Sequence, residues 1–376
     1  MRKKIILYSR DPGGANSIIP LIKPLSSKGF KVRLYGKDTA LSIYKKFGYK
    51  GINIWEEPTS NNNKKYEGFL IKEKPNIIIT STSPDDFSEK HLWKAAFTLR
   101  IPTLAILDQW INYGLRFSKY GLDKAEKYAV DKSFDFLPTK IMVMDQFAKR
   151  EMVNEGLPAN RILVTGQPYF EFLHNHILPI YKKGVKTKAH RDFTILFASE
   201  PLSETFRDSD HMRPFWGYTE KTILQDLLEA LIKITTNQNL RTQLIIKLHP
   251  KESGKKYDEF CNFNSKKSIK ISVYKKINYW NLIAKSDLVC GISSMLLIES
   301  LLFDKPIISI QIGLRKKDPF ILSRKKDIKS IKNRKELENQ LKSHIGGYNL
   351  KSINFNHIRH PIKNIMQYIE NYPWQS

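Results

Sequence analysis

Two short stretches carry residue types suited to holding a phosphate: Lys247-Leu248-His249-Pro250 and Gly291-Ile292-Ser293-Ser294. A lysine and a histidine supply cationic donors. Two serines ahead of the apolar run Met295 to Phe303 supply hydroxyls and the exposed N–H groups of a helix start. Leu244, Ile245 and Ile246 read as a buried strand that Pro250 stops, which leaves Lys247, His249 and Pro250 at its carboxyl end. Asp287 to Gly291 reads as another strand, followed by a glycine turn, the serine-capped helix, and a further strand from Ile307 to Ile310 behind Asp304-Lys305-Pro306. Open α/β sheets bind ligands at that edge. Glu299, five residues inside the helix, is placed to reach a ribose hydroxyl beside the same phosphate.

A second set of candidates is acidic. Asp11 follows the strand Ile5 to Tyr8 and stands beside Gly13-Gly14 in what reads as a glycine loop ahead of a helix from Ser17 to Lys28. Asp86 follows Ile77 to Thr80, and Asp108 follows Thr103 to Leu107. Three acids on one carboxyl edge could supply a general base for an acceptor hydroxyl, with Asp11 the first candidate, Asp108 the second and Asp86 the third. An acid in that position also suits a helix N-cap, and a glycine pair also suits a plain tight turn. Trp110, Tyr113 and Arg116 beside Asp108 could form a sugar or lipid-phosphate platform, or could pack as core. Ser199 and Glu200 end the strand that starts at Phe193.

Lys-Leu-His-Pro with Gly-Ile-Ser-Ser-Met-Leu-Leu-Ile-Glu-Ser resembles the HP and SS motif pair of GT-B glycosyltransferases that use CMP-activated sugars, such as bacterial sialyl- and Kdo-transferases. Glycerophosphotransferases of the teichoic-acid type share a similar pair. The resemblance spans roughly residues 193 to 312. It implies a GT-B fold of two Rossmann-like doubly wound domains facing each other across a cleft, with the loop at Gly13 and Gly14 facing the acceptor. His249, Ser293 and Ser294 would hold the donor phosphate, with Lys247, Pro250, Gly291, Glu299, Ser199 and Glu200 around the nucleotide. The implied activity is transfer of a CMP-activated acidic sugar to a bacterial surface glycan of the lipopolysaccharide or capsule kind. The sequence shows no DxD-like pair in the right setting and no histidine-rich ligand cluster, so neither a metal nor another cofactor is expected, and the nucleotide sugar is a co-substrate. Three other readings stand beside it: polyol-phosphate transfer from a CDP-polyol at nearly the same phosphate site, a UDP-sugar 2-epimerase of similar fold, against which the expected catalytic acid and arginine set is not found at clear positions, and a non-catalytic basic binding protein.

Strands and helices alternate along the chain, with further strands at Lys31 to Tyr35, Ile52 to Trp55, Ile141 to Met144 and Ile162 to Val164. That alternation argues for parallel sheets. The Gly166-Gln167-Pro168 turn resembles the G-x-P turn that often closes the first domain of GT-B and related epimerase chains, which implies an acceptor-binding domain over residues 1–180. A linker is expected over Lys182 to Lys188 and polar loops over Asn61 to Lys65 and Arg207 to Arg213. A nucleotide-binding domain follows over 193–345, and a terminal helix within 346–376 packs back on the first domain.

The chain has 376 residues, 41% of them hydrophobic and 11% aromatic, enough to bury two cores. Cys261 and Cys290 lack any zinc or disulfide spacing, which points to a reducing cytoplasm. Met1-Arg2-Lys3-Lys4 leads into a run too short for a secretion signal, and no run approaches a membrane span. The formal charge of +26 draws the protein to polyanions. Its lysines are dispersed and lack aromatic interleaving, which argues against nucleic acid and for an anionic membrane at the inner face, where lipid-linked acceptors reside.

Overall fold

The computed structural model describes residues 2–54, 63–182, 192–206, 214–238, 241–261, 268–346 and 360–373. The chain divides into two compact units, Met1–Leu173 with Asn356–Ser376, and His174–Phe355.

The first unit alternates β1 (Lys4–Ser9), α1 (Pro12–Ser27), β2 (Lys31–Gly36), α2 (Thr39–Lys46), β3 (Ile52–Asn53), α3 (Asn63–Glu73), β4 (Ile77–Thr80), α4 (Ser88–Thr98) and β5 (Thr103–Ile106). It continues through α5 (Ala125–Val130), β6 (Lys140–Val143), α6 (Gln146–Glu155), β7 (Ile162–Val164) and α7 (Pro168–Phe172). All seven strands are parallel, in the order β3-β2-β1-β4-β5-β6-β7. Ile5, Ile6 and Leu7, like Ile77, Ile78 and Ile79, are buried on both faces, as continuous apolar strands of parallel sheets are. Residues of α1 and α2 cover one face, while α3 and α4 cover the other. Strand order reverses between β1 and β4, so the crevice beyond their carboxyl ends is where this topology admits a ligand.

The second unit contains α8 (Leu178–Lys182), β8 (Phe193–Ala198), α9 (Leu202–Phe206), α10 (Glu220–Gln238), β9 (Thr242–Lys247), α11 (Asp258–Cys261) and β10 (Ile269–Tyr274). After these come α12 (Tyr279–Lys285), β11 (Leu288–Gly291), α13 (Met295–Leu302), β12 (Ile307–Ser309), α14 (Ile321–Arg324) and α15 (Arg334–Ile345). Five parallel strands run β10-β9-β8-β11-β12, which places this unit's switch point between β8 and β11. The last helix, α16 (Pro361–Glu370), belongs to the first unit. Its Ile365, Met366 and Ile369 join the core that α1 builds, Ile362 donates its N–H to Glu171 (3.0 Å), and Asn364 donates to the Thr165 carbonyl (2.9 Å).

Several local expectations are corrected. Gly13 and Gly14 lie in the first turn of α1 and not in a loop, because Pro12 carries a φ already suited to the first helical position. Asn63, Lys64 and Lys65 open α3, whereas Asn61 and Asn62 lie outside the described residues. Lys182 ends α8; the remainder of the expected linker and the segment 207–213 also lie outside them. β3 ends at Asn53, and Trp55 is not described. The first unit's division falls after Leu173, ahead of the expected residue 180.

Candidate functional site

In the second unit, register brings the two motifs together. Lys247 pairs with Ala198, and Ala198 pairs with Gly291, so the ends of β9, β8 and β11 form one row. Neighbouring strands lie roughly 4.8 Å apart, which puts Lys247 and Gly291 about 10 Å from each other despite their separation in sequence. Gly291 packs closely on β8: a Cβ there would lie 3.1 Å from the Ala198 carbonyl oxygen.

Beyond this row stands the N-terminus of α13. Ser294 caps it, its hydroxyl accepting from the Leu296 N–H at 3.3 Å. Ser293 donates its N–H (2.6 Å) and its hydroxyl (2.8 Å) to the two carboxylate oxygens of Glu200, which also accepts from the Ser294 N–H. The Glu200–Ser293 contact spans the β8–β11 switch point, with the carboxylate on donors of the kind that receive phosphate elsewhere. Burial raises the Glu200 carboxyl above its ordinary range; the serine hydrogen bonds oppose the shift and nearby Glu252 adds to it. The floor of the turn is locked, since the Ile292 carbonyl accepts from Ser309 Oγ (2.6 Å) and Gln311 Nε2 (3.0 Å).

Glu252 organises the β9 side. It accepts from the His249 N–H (2.6 Å), Ser199 Oγ (2.8 Å) and Tyr257 Oη (2.8 Å), and its carboxylate pairs with Lys256 (2.7 Å). His249 Nδ1 accepts from the Lys251 N–H at 3.2 Å, which leaves Nε2 as the ring nitrogen turned to donate. Lys247 is buried and donates to the Leu248 carbonyl. Ser199 is turned onto Glu252 and Tyr257, which makes it a support for the row, and Glu299 is buried within α13. Pro250 is exposed just past the strand.

Glu204, Glu220 and Glu252 are the described acids that lie close enough together to share a metal ion. Their cation is already present. The Lys256 ammonium lies 2.9, 2.8 and 2.7 Å from them, which fits a lysine and leaves the carboxylates compensated.

In the first unit, the β1–β4 crevice collects charge. Arg10 donates to Asp11 (2.9 Å), Asp38 (2.8 Å) and Asp85 (3.1 Å), and Ser83 Oγ donates to Asp11 (2.6 Å). Asp11 remains part-exposed, as a group that meets a substrate must. Asp108 is buried, paired with Arg116 at 2.9 Å, and its other oxygen abuts Gly13 so closely that a Cβ there would collide with it. Burial raises its carboxyl above the ordinary range, Arg116 opposing and Asp11 adding. Gly14 likewise admits Ser81. The two glycines thus let the first turn of α1 approach the crevice wall.

Three sequence expectations change here. Asp86 holds the first turn of α4 through the Ser88 N–H (2.9 Å) and pairs with Lys37 (2.9 Å); burial alone would raise its carboxyl, but these bonds hold it below the usual range. Arg116 is turned inward onto Asp108 and Thr82. Trp110 and Tyr113 are buried, donating to Asp145 (2.9 Å) and Glu151 (3.2 Å), so these three residues form a wall and not an open platform. Arg10 and Glu252 received no role in the sequence reading. His249-Pro-Lys-Glu252 spacing was the signal for the second, since an acid three residues on can take back the strand-end N–H.

No family model matches the sequence, and no curated protein sequence does either. Among solved structures the chain shares its GT-B fold over nearly its full length. It is similar to MnaA of S. aureus in a co-structure with UDP (TM-score 0.66, 15% identity, 98% of this chain and 96% of that one). It is also similar to the UDP-GlcNAc 2-epimerase of Methanocaldococcus jannaschii in complex with UDP-GlcNAc and UDP (TM-score 0.64, 17% identity, 98% and 99%). MurG of Acinetobacter baumannii matches with a TM-score of 0.56 at 12% identity, over 98% and 99%.

Proposed function

We propose that the protein is an enzyme of nucleotide-sugar chemistry, a metal-independent glycosyltransferase acting on a bacterial surface glycan, with a CMP-activated acidic sugar as the favoured donor. The observation that carries the reading is the row Lys247, Ala198, Gly291 with the α13 N-terminus beyond it, already holding an oxyanion in the form of Glu200. A donor phosphate would take the Ser293 and Ser294 N–H groups as Glu200 turns aside. The His249 Nε2–H and the Lys247 ammonium would approach it from the β9 side. As the bond from sugar carbon to phosphate oxygen breaks, these donors stabilise the growing charge in the leaving group. The acceptor hydroxyl needs a carboxylate to take its proton, and Asp11 is the most exposed of Asp11, Asp86 and Asp108, oriented by Ser83 and Arg10.

The similarity to structures of UDP-GlcNAc 2-epimerases favours a second reading, a change of configuration in a UDP-sugar at the same phosphate site. Supplying CMP- and UDP-linked sugars without metal and following nucleotide release and sugar identity separates the two. Transfer frees the nucleotide only with an acceptor present. Epimerisation yields an isomer with none.

A further inference from the structure

We propose that the outer face of α3 and α4 docks on an anionic lipid surface, with Ile71 and Phe97 entering the headgroup layer among a ring of basic residues. The two helices pack side by side on one face of the first unit's sheet, sharing a core through Tyr66 and Leu70 of one and Leu92, Ala95 and Ala96 of the other. They feed adjacent parallel strands, so positions equally far ahead of those strands stand at one level. Ile71 is six residues ahead of Ile77, and Phe97 is six ahead of Thr103. Packed helices have axes roughly 8–10 Å apart, which puts these two exposed apolar side chains on neighbouring helices at similar height. Phe97 is 76% exposed and Ile71 58%, far outside what an apolar core tolerates.

The surroundings are basic. Lys64, Lys72 and Lys94 are exposed on the same helices. Glu73 is drawn away to Lys4 (3.5 Å) and Arg33 (3.9 Å), Glu89 is buried, and Glu67 is the half-buried acid of α3.

Each helix also ends in the same unusual way. Lys74 (φ +48°) and Arg100 (φ +55°), each three residues ahead of its strand, adopt left-handed conformations that glycine takes at less cost. Two neighbouring helices thus keep a long basic side chain where backbone strain favours glycine.

Lipid accounts for all three features. A nucleic acid or an acidic glycan would use the cations and gain nothing from a protruding phenylalanine. A second copy of a chain carrying +26 would bring like charge against this face. An anionic bilayer offers headgroup phosphates to the lysines and an apolar layer just beneath.

Flotation of the full chain with phosphatidylcholine vesicles, with and without phosphatidylglycerol, tests this. Binding is expected only to the anionic vesicles and should weaken with salt. Phe97→Ser and Ile71→Ser should each lower affinity about tenfold with charge unchanged, while Val130→Ser, an exposed site elsewhere, should leave it alone. Lys74→Gly and Arg100→Gly should lower vesicle affinity roughly fivefold each while leaving the melting temperature unchanged or higher. A merely structural role for these residues would move both quantities together. Phe97→Ser binding vesicles like the parent would overturn the proposal and leave a general polyanion surface. A dimer of the parent that Phe97→Ser converts to monomer would overturn it in favour of self-association.

Discussion

Glu200→Gln should tighten nucleotide binding. In the structure the carboxylate holds Ser293 through its N–H and hydroxyl, at the helix start where a phosphate would sit. Gln keeps an oxygen for Ser293 but carries no charge. At roughly 5 Å and an effective dielectric of about 20, a carboxylate and one phosphate charge repel by about 3 kcal/mol. Side-chain rotation and solvent remove about half of that, leaving roughly a tenfold difference in affinity. Because burial raises the Glu200 carboxyl, the folded state binds its proton more tightly than the unfolded chain does. Stability from this group is therefore present at low pH and is lost as pH rises above the ordinary carboxylate range toward the raised one. Glu200→Gln should be as stable as the parent, or more so, at neutral pH. Calorimetric titration of CMP and UDP into both proteins, repeated as pH falls toward the carboxylate range, reads the effect. The parent's affinity should climb toward that of the variant as Glu200 takes its proton. Equal affinities at every pH would refute the claim that Glu200 and the nucleotide phosphate compete for one place.

Three further outcomes follow from the same geometry. Lys256→Met leaves Glu220 and Glu252, both buried, without their shared cation, and should cost about 3–5 kcal/mol of unfolding free energy in a denaturant titration; a change below about 1 kcal/mol would show that the carboxylates find compensation elsewhere. Asp11→Asn should lower turnover by a hundredfold or more with nucleotide affinity unchanged, whereas Asp108→Asn, which strips Arg116 of its buried partner, should chiefly lower the melting temperature; the reverse pattern would move the base to Asp108. Gly13→Ala should destabilise the first unit, because the new Cβ meets the Asp108 carboxylate, and a parent-like melting temperature would show that this wall yields.

What was legible in the sequence was chiefly the framework of strands. Ile5 to Tyr8, Ile77 to Thr80 and Leu244 to Lys247 announce themselves as apolar runs because parallel strands are buried on both faces. β10 escaped notice because Ile269–Tyr274 lies at the sheet edge and alternates Ile, Lys, Ile and Ser. The opening of α3 escaped because successive asparagines lower helix propensity. His249, Ser293 and Ser294 were singled out from local spacing. Their relation to Glu200 was not, since the Glu200–Ser293 contact depends on β8 lying between β9 and β11, an order that no local pattern encodes. Arg116 misled for a related reason: an arginine eight residues after an acid reads equally well as a substrate contact or as its buried partner, and it is the partner.

The nucleotide site proposed for the second unit is tested most directly by titrating CMP, CDP and UDP, with a metal chelator present, into the parent and into His249→Ala. Binding of at least one of the three is expected without metal. A loss of about tenfold to a hundredfold in His249→Ala is expected at an unchanged melting temperature, since the imidazole ends a strand and is not fully buried. No binding by the parent, or equal binding by the variant, would contradict a phosphate held at the ends of β8, β9 and β11.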